Sequence, residues 1–247
     1  MRKSRFRGKS SRKALSFARF FYPVVGLALL GPALSVWIGL VRLTRTLPFN
    51  DAPFYALAAG AATYLLLHIF FRKPMTMYVF GHELTHAVAA VLSGYKVKSL
   101  FVSEKGGEVE LSDSNVAVAL APYCVPLYTV AVLLVYALVK RYSALSTPPL
   151  WVGFCVGLTL VFHLALTVHS LRQDQPDLRH AGTFFSFVMI VLSNGLILVF
   201  VLKALYSSVA LSNFFEAWWA DTRGIFEGLW HGFGWVRAGV VNGGAKN

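Results

Sequence analysis

The chain has 247 residues, of which 56% are hydrophobic and only 14% charged, and its mean hydropathy is +0.60. So small a charged fraction excludes an ordinary soluble domain, which carries about 25% charged residues. The formal charge of +12 is concentrated at one end, where eight of the 23 Lys and Arg lie between Arg2 and Arg19, directly before an apolar run. That arm reads as a cytoplasmic juxtamembrane segment resting on anionic lipid, in preference to a nucleic-acid-binding tail. The apolar residues come in long runs rather than at amphipathic spacing. They predict an all-α polytopic membrane protein with about six transmembrane helices, a single membrane domain without internal repeat, and no soluble catalytic domain.

Residues 1–21 form the basic arm. The run from Tyr22 to Val41 is too long for a signal-peptide core, contains Pro23 and Pro32, and has no small-residue cleavage site after it, so it reads as a first retained span. A polar loop with Arg42, Arg45, Asn50 and Asp51 precedes a second span, Ala52 to Phe71, whose Gly60 and alanines predict close helix packing. Arg72, Lys73 and Pro74 end it. A third span runs from Pro74 to Gly94.

Residues 95–115 then alternate polar and apolar, with Gly106-Gly107 in the middle. This predicts a β-hairpin turning at the two glycines and leaning on the membrane domain, because an isolated hairpin is marginal in water. Its second strand, with Val109 and Leu111, offers an edge to which an extended substrate segment can add; the plainer reading is a connecting hairpin. The fourth span, Val116 to Val139, is interrupted by Pro122 and Pro126 around Tyr123 and Cys124, which predicts a bend or a packing kink. A fifth span, Leu150 to Leu171, contains His163 and His169. A polar island follows at 172–182. The sixth span, Thr183 to Leu205, carries Asn194.

The tail, 206–247, repeats aromatic residues from Phe214 to Phe233 at helical spacing and reads as an interfacial amphipathic helix. With six spans and the N-terminus inside, the inner segments hold 16 Lys and Arg and the outer ones 7, which puts both termini in the cytoplasm. The two cysteines, Cys124 and Cys155, lie in apolar segments and read as small core residues.

The chemistry centres on Gly81-His82-Glu83-Leu84-Thr85-His86. A single acidic residue at the middle of a membrane helix costs roughly 2.5–3.5 kcal/mol, and a bound metal ion offsets that cost. On a helix His82 and His86 share one face, one turn apart, so both imidazoles reach one zinc ion, with Glu83 beside them as general base. Zinc in hydrolases takes three protein ligands and leaves one position for water. Asp177 and Asp174 are the leading candidates for the third, with His163 and His169 behind them. Asp177 follows Pro176 and suits the first turn of a helix; Asp174 suits its cap. Topology adds a demand. His82 lies about 12 Å along the helix from the inner end of its span, whereas the charge count places the island at 172–182 outside, so the island must fold inward to reach it.

A His82-Glu83-x-x-His86 membrane helix, a hairpin with Gly106-Gly107 and a later membrane-embedded Asp resemble the site-2 protease family of intramembrane zinc metalloproteases, over roughly residues 75–200. The usual Leu-Asp-Gly and Asn-Pro-x-Pro stretches are absent. Gln173-Asp174-Gln175-Pro176-Asp177-Leu178 stands in the place of the Asp motif, so the chain resembles a divergent branch. The resemblance implies a metalloprotease domain over 22–205, a Zn2+ cofactor, and hydrolysis of a peptide bond in or beside a transmembrane segment of a membrane-protein substrate. It also leaves a place for an extra donor to the developing oxyanion, Asn194 or His169, both of which read more plainly as interhelical hydrogen-bonding groups. Two other functions use the same residues: an inactive scaffold for transmembrane partners, and a protein that binds or moves a metal ion.

Overall fold

The computed structural model describes residues 12–48, 50–71, 74–103, 106–143, 147–173 and 175–243. In chain order the elements are α1 (Arg12–Thr44), α2 (Ala52–Phe70), α3 (Met75–Leu92), β1 (Val97–Ser103), β2 (Gly106–Leu111), α4 (Val116–Cys124), α5 (Leu127–Tyr142), α6 (Leu150–Leu171), α7 (Pro176–Arg179), α8 (Thr183–Leu205) and α9 (Leu211–Gly243). Part of the basic arm, residues 1–11, lies outside the described residues. The rest of it is helical, because Arg, Lys, Ala and Leu propagate a helix beyond the apolar run that starts it.

Among the described residues four helices are long and apolar enough to cross a membrane: Phe20–Thr44 within α1, α2, α6 and α8. A fifth crossing arises if α4 and α5, bent by 75°, are taken as one broken span. The bend falls where the prolines predict it. Pro126 has no N–H to continue the helix, so α4 stops at Cys124 and α5 restarts after Pro126. The expected third span, α3, is not among the four, because His82, Glu83 and His86 themselves lower its hydropathy. It is held by protein on several sides: Val79, Gly81, Thr85, His86, Ala87 and Ala90 are buried. Tyr128 of α5 donates to the Met77 carbonyl at 2.6 Å, and its ring lies so close to Gly81 that a Cβ there would come within 2.8 Å of it.

The hairpin is antiparallel, with Val102 opposite Gly107 and Ser103 opposite Gly106. The two glycines are therefore strand residues, not the turn, and residues 104–105 between the strands lie outside the described residues. Gly107 is required for approach. A Cβ there would sit 2.6 Å from Val79 and 2.7 Å from Glu83, on the face of α3. With Val109 buried, the hairpin leans on α3 as its marginal intrinsic stability demands.

The remaining helices close round this unit. Asp51 caps α2 by accepting from the Phe54 amide at 2.9 Å. α2 and α6 pack backbone to backbone: a Cβ on Gly60 would lie 1.9 Å from the Phe154 carbonyl oxygen, and one on Gly157 would lie 2.0 Å from that of Leu57. Gly153 and Gly157 are one turn apart, the spacing that lets membrane helices touch through their backbones. α1 packs on α8 through Ala33, Val36 and Leu40 against Val188, Leu192 and Val199. Within the tail, residues 211–243 form one continuous helix, α9, and it lies along α1. Trp218 donates to the Pro32 carbonyl at 2.9 Å, and Arg42 binds Asp221 in a fork at 2.8 and 3.1 Å. Trp219 and Trp230, turned away from the Trp218 face, stay exposed.

Because the obstacle at Gly157 is main chain, it cannot rotate away. Gly157→Ala is expected to destabilise the protein by about 1–3 kcal/mol through forced separation of α2 and α6. Thermal unfolding in detergent, compared with an exposed substitution such as Gly228→Ala, measures this; equal melting temperatures would contradict the close packing.

Candidate metal centre

α3 presents His82 and His86 on one face, as their spacing requires, and the rings lie edge to face at 4.9 Å between centroids. The third member comes from α7. Pro176 starts this single turn with its preset φ, and Asp177 occupies the turn that follows. Leu178 and Ala181 anchor the segment in a core cluster with Leu120, Tyr123, Phe185 and Ile190. The polar island thus folds inward, and Asp177 is only 4% exposed.

Asp177 Oδ2 lies 3.5 Å from His82 Nε2 and 3.4 Å from His86 Nε2. One ligand atom from each of the three residues falls within 4.8 Å of the others, so the cluster can hold a metal ion. The separations suit the task. Tetrahedral zinc with bonds of about 2.0–2.2 Å puts its ligand atoms about 3.3 Å apart. Burial pushes the Asp177 carboxyl up, but the two imidazoles beside it outweigh that and hold it below the usual carboxylate range. Asp174, the alternative ligand, lies outside the described residues.

The imidazoles are oriented from behind. His86 Nδ1 donates to the Val118 carbonyl at 2.8 Å, which leaves Nε2 with a lone pair toward Asp177. His82 Nδ1 faces the Tyr78 hydroxyl at 3.5 Å, and Tyr78 is hydrogen-bonded in turn to Ser170 of α6. Asp177 Oδ2 accepts a hydrogen bond from Tyr123 at 3.0 Å. Glu83 sits beside the cluster, close enough to interact electrostatically with His86 and Asp177, and its carboxylate accepts from the Val109 amide of β2. That amide therefore points away from β1, and the free edge of β2 faces α3. The Val109 side chain itself is buried, and Leu111 pairs with Val97.

The other sequence candidates have different neighbours. Asn194 Nδ2 donates to the carbonyls of Tyr123 and Ile190 at 2.9 and 2.8 Å, while Oδ1 accepts from His163 Nε2 at 3.2 Å. Both act here as interhelical hydrogen-bonding groups. His169 Nε2 accepts from Gln173 at 2.9 Å. Cys124 and Cys155 are free thiols outside the cluster. A cavity of about 30 Å³ borders His82 and His163 and is lined also by Tyr78, Pro122, Tyr128 and Phe162. A void of roughly 10–15 Å³ on this measure holds one water, so there is room for solvent next to the cluster.

Tyr78, Tyr123 and Ser170 were not singled out by sequence as parts of the site. Tyr78 had a signal, because it stands four residues before His82 and so on the same helix face. Tyr123 had a weaker one, lying between Pro122 and Pro126. Nothing in sequence marks Ser170 or the Val118 carbonyl.

Asp177→Ala is expected to abolish stoichiometric metal retention, and Asp174→Ala to leave it intact. Metal analysis of the two purified variants checks this, and metal loss in Asp174→Ala alone would reverse the assignment. Compared with family models, with curated proteins and with solved structures, the chain matches none.

Proposed function

We propose that the protein is an intramembrane zinc metalloprotease that hydrolyses a peptide bond in or next to a transmembrane segment of a membrane-protein substrate. The observation that carries this reading is the buried His82, His86, Asp177 cluster with a carboxylate, Glu83, next to it. Two nitrogens and one oxygen are a donor set that suits zinc in a hydrolytic site, where three protein ligands leave a position open. A site for structure alone has no need of Glu83, and a transport path would string ionisable groups along several spans rather than gather them at one place. The resemblance of 75–200 to site-2 proteases points the same way.

A zinc ion held by these three residues supplies Lewis-acid activation of water and of the scissile carbonyl. The chain's own groups do the rest. His86 and His82 keep Nε2 forward because Val118 and Tyr78 engage Nδ1. Glu83 takes the proton of the attacking water on its carboxylate and later passes it to the leaving amine. Burial of the cluster keeps bulk solvent from screening these charges.

A substrate helix must unwind before its carbonyls are accessible. The unwound segment adds, in this reading, as a strand at the β2 edge, where the Val109 amide exchanges Glu83 for a substrate carbonyl. In this reading the excess of Lys and Arg on the inner segments orients both termini to the cytoplasm, with the arm before α1 on anionic lipid.

Glu83→Gln is expected to retain zinc and to lower cleavage of tagged single-pass membrane substrates by about 10²–10⁴-fold, whereas His86→Ala loses both. Cleavage at wild-type rate in Glu83→Gln would sink the protease reading. Zinc retained by a wild-type protein that cleaves nothing would favour the scaffold. Separately, Val109→Pro removes the amide on the β2 edge and is expected to slow cleavage with zinc content unchanged; undiminished cleavage would remove the strand from the mechanism.

A further inference from the structure

Tyr123 is the most constrained side chain near the cluster, and the chemistry described above does not use it. It is fully buried at the end of α4, one residue before the break that separates α4 from α5. Its hydroxyl donates at 3.0 Å to Asp177 Oδ2, the same oxygen that faces both imidazoles. Its ring lies edge to face with His82 at 5.2 Å. Its backbone carbonyl, at the end of a broken helix, lacks the continuing helix that would supply a donor. Asn194 of α8 supplies one at 2.9 Å. Asn194 is in turn tied to His163.

These contacts form one connected path. α8 grips the Tyr123 carbonyl through Asn194, which α6 holds through His163; the α4 terminus sets the ring, and the hydroxyl sets Asp177. Asp177 needs such a guide, because it stands on a single helical turn that cannot orient a side chain as firmly as α3 orients the histidines. A carboxylate has two oxygens and free rotation, and a donor on Oδ2 selects which oxygen faces Nε2 of both rings. We infer that Tyr123 is a positioning residue for the metal centre: its hydroxyl holds the ligating oxygen of Asp177 in register, and the Asn194–His163 pair holds Tyr123. The Pro122–Pro126 break is then functional, since it opens the carbonyl that Asn194 grips.

The inference rests on the reading of the cluster as a metal site, and the experiment separates the two. Zn2+ affinity is measured on the full-length protein in detergent by competition with a chromophoric chelator, and the visible spectrum of the Co2+ form reports ligand geometry. A wild-type protein that takes up neither ion fails the metal reading itself. With the wild type loaded, Tyr123→Phe keeps the ring and is expected to bind Zn2+ about 10–100-fold more weakly, with an altered Co2+ spectrum and unchanged helix content. Zn2+ affinity within about threefold of wild type with an identical Co2+ spectrum would overturn the inference, taking that 10–100-fold loss as the scale. Asn194→Leu is expected to weaken Zn2+ binding in the same direction, and the double variant to bind no more weakly than Tyr123→Phe alone, because Asn194 acts through the hydroxyl. Fully additive losses would overturn the link between Asn194 and Tyr123. If Tyr123→Phe does not fold, Asn194→Leu carries the test: weakened Zn2+ binding supports the path and wild-type binding overturns it.

Discussion

Asp177 Oδ2 lies within 3.5 Å of two imidazole nitrogens and 3.0 Å from a phenol hydroxyl, on a residue that is only 4% exposed. Removing an ionised carboxylate from water costs several kcal/mol unless its lone pairs are met by donors or a cation. The protein meets that requirement from five elements at once. α3 brings the histidines, α4 brings Tyr123, α7 brings the carboxylate, and α8, held by α6, braces the Tyr123 carbonyl from behind. Among the described residues Tyr136 Oη is the one buried side-chain polar atom without a hydrogen-bond partner, so the polar groups of the centre are satisfied by protein.

The same requirement explains the surroundings of α3. A helix with two imidazoles and a carboxylate on it gains little from facing lipid, and it is the apolar-looking helix that fails as a free-standing span. It is enclosed instead. The hairpin covers the Glu83 side, where only glycine at 107 lets the strand come close enough for the Val109 amide to reach the carboxylate. Tyr128 covers the Gly81 side. Small residues thus do at the site what they do between α2 and α6, where Gly60 and Gly157 bring two backbones together. In both places the absent Cβ permits a main-chain approach.

The outer helices hold this arrangement in place. α9 is tied along α1 by a forked ion pair and an indole hydrogen bond, and α1 packs on α8, the helix that carries Asn194. An amphipathic tail with exposed tryptophans on its far side is therefore also a support for the helix behind the centre.

Much of this was legible in the sequence, for stated reasons. Long apolar runs specify membrane-crossing helices whatever their partners, because unpaired backbone groups are not tolerated in hydrocarbon. The i, i+4 spacing of His82 and His86 places two imidazoles on one face by helix geometry alone, and Pro176 marks where Asp177 starts a turn. Pro122 and Pro126 mark the break. Other features depend on which distant segments meet. The inward fold of the 172–182 island, the use of Gly107 as a contact rather than a turn, and the roles of Tyr123, Tyr78 and the Val118 carbonyl are set by packing between elements far apart in the chain. Local sequence determined which groups needed partners in this protein. Only the tertiary structure decided which groups those partners are, because a hydrogen bond to a buried carboxylate is chosen by proximity in space and leaves no periodicity in the chain.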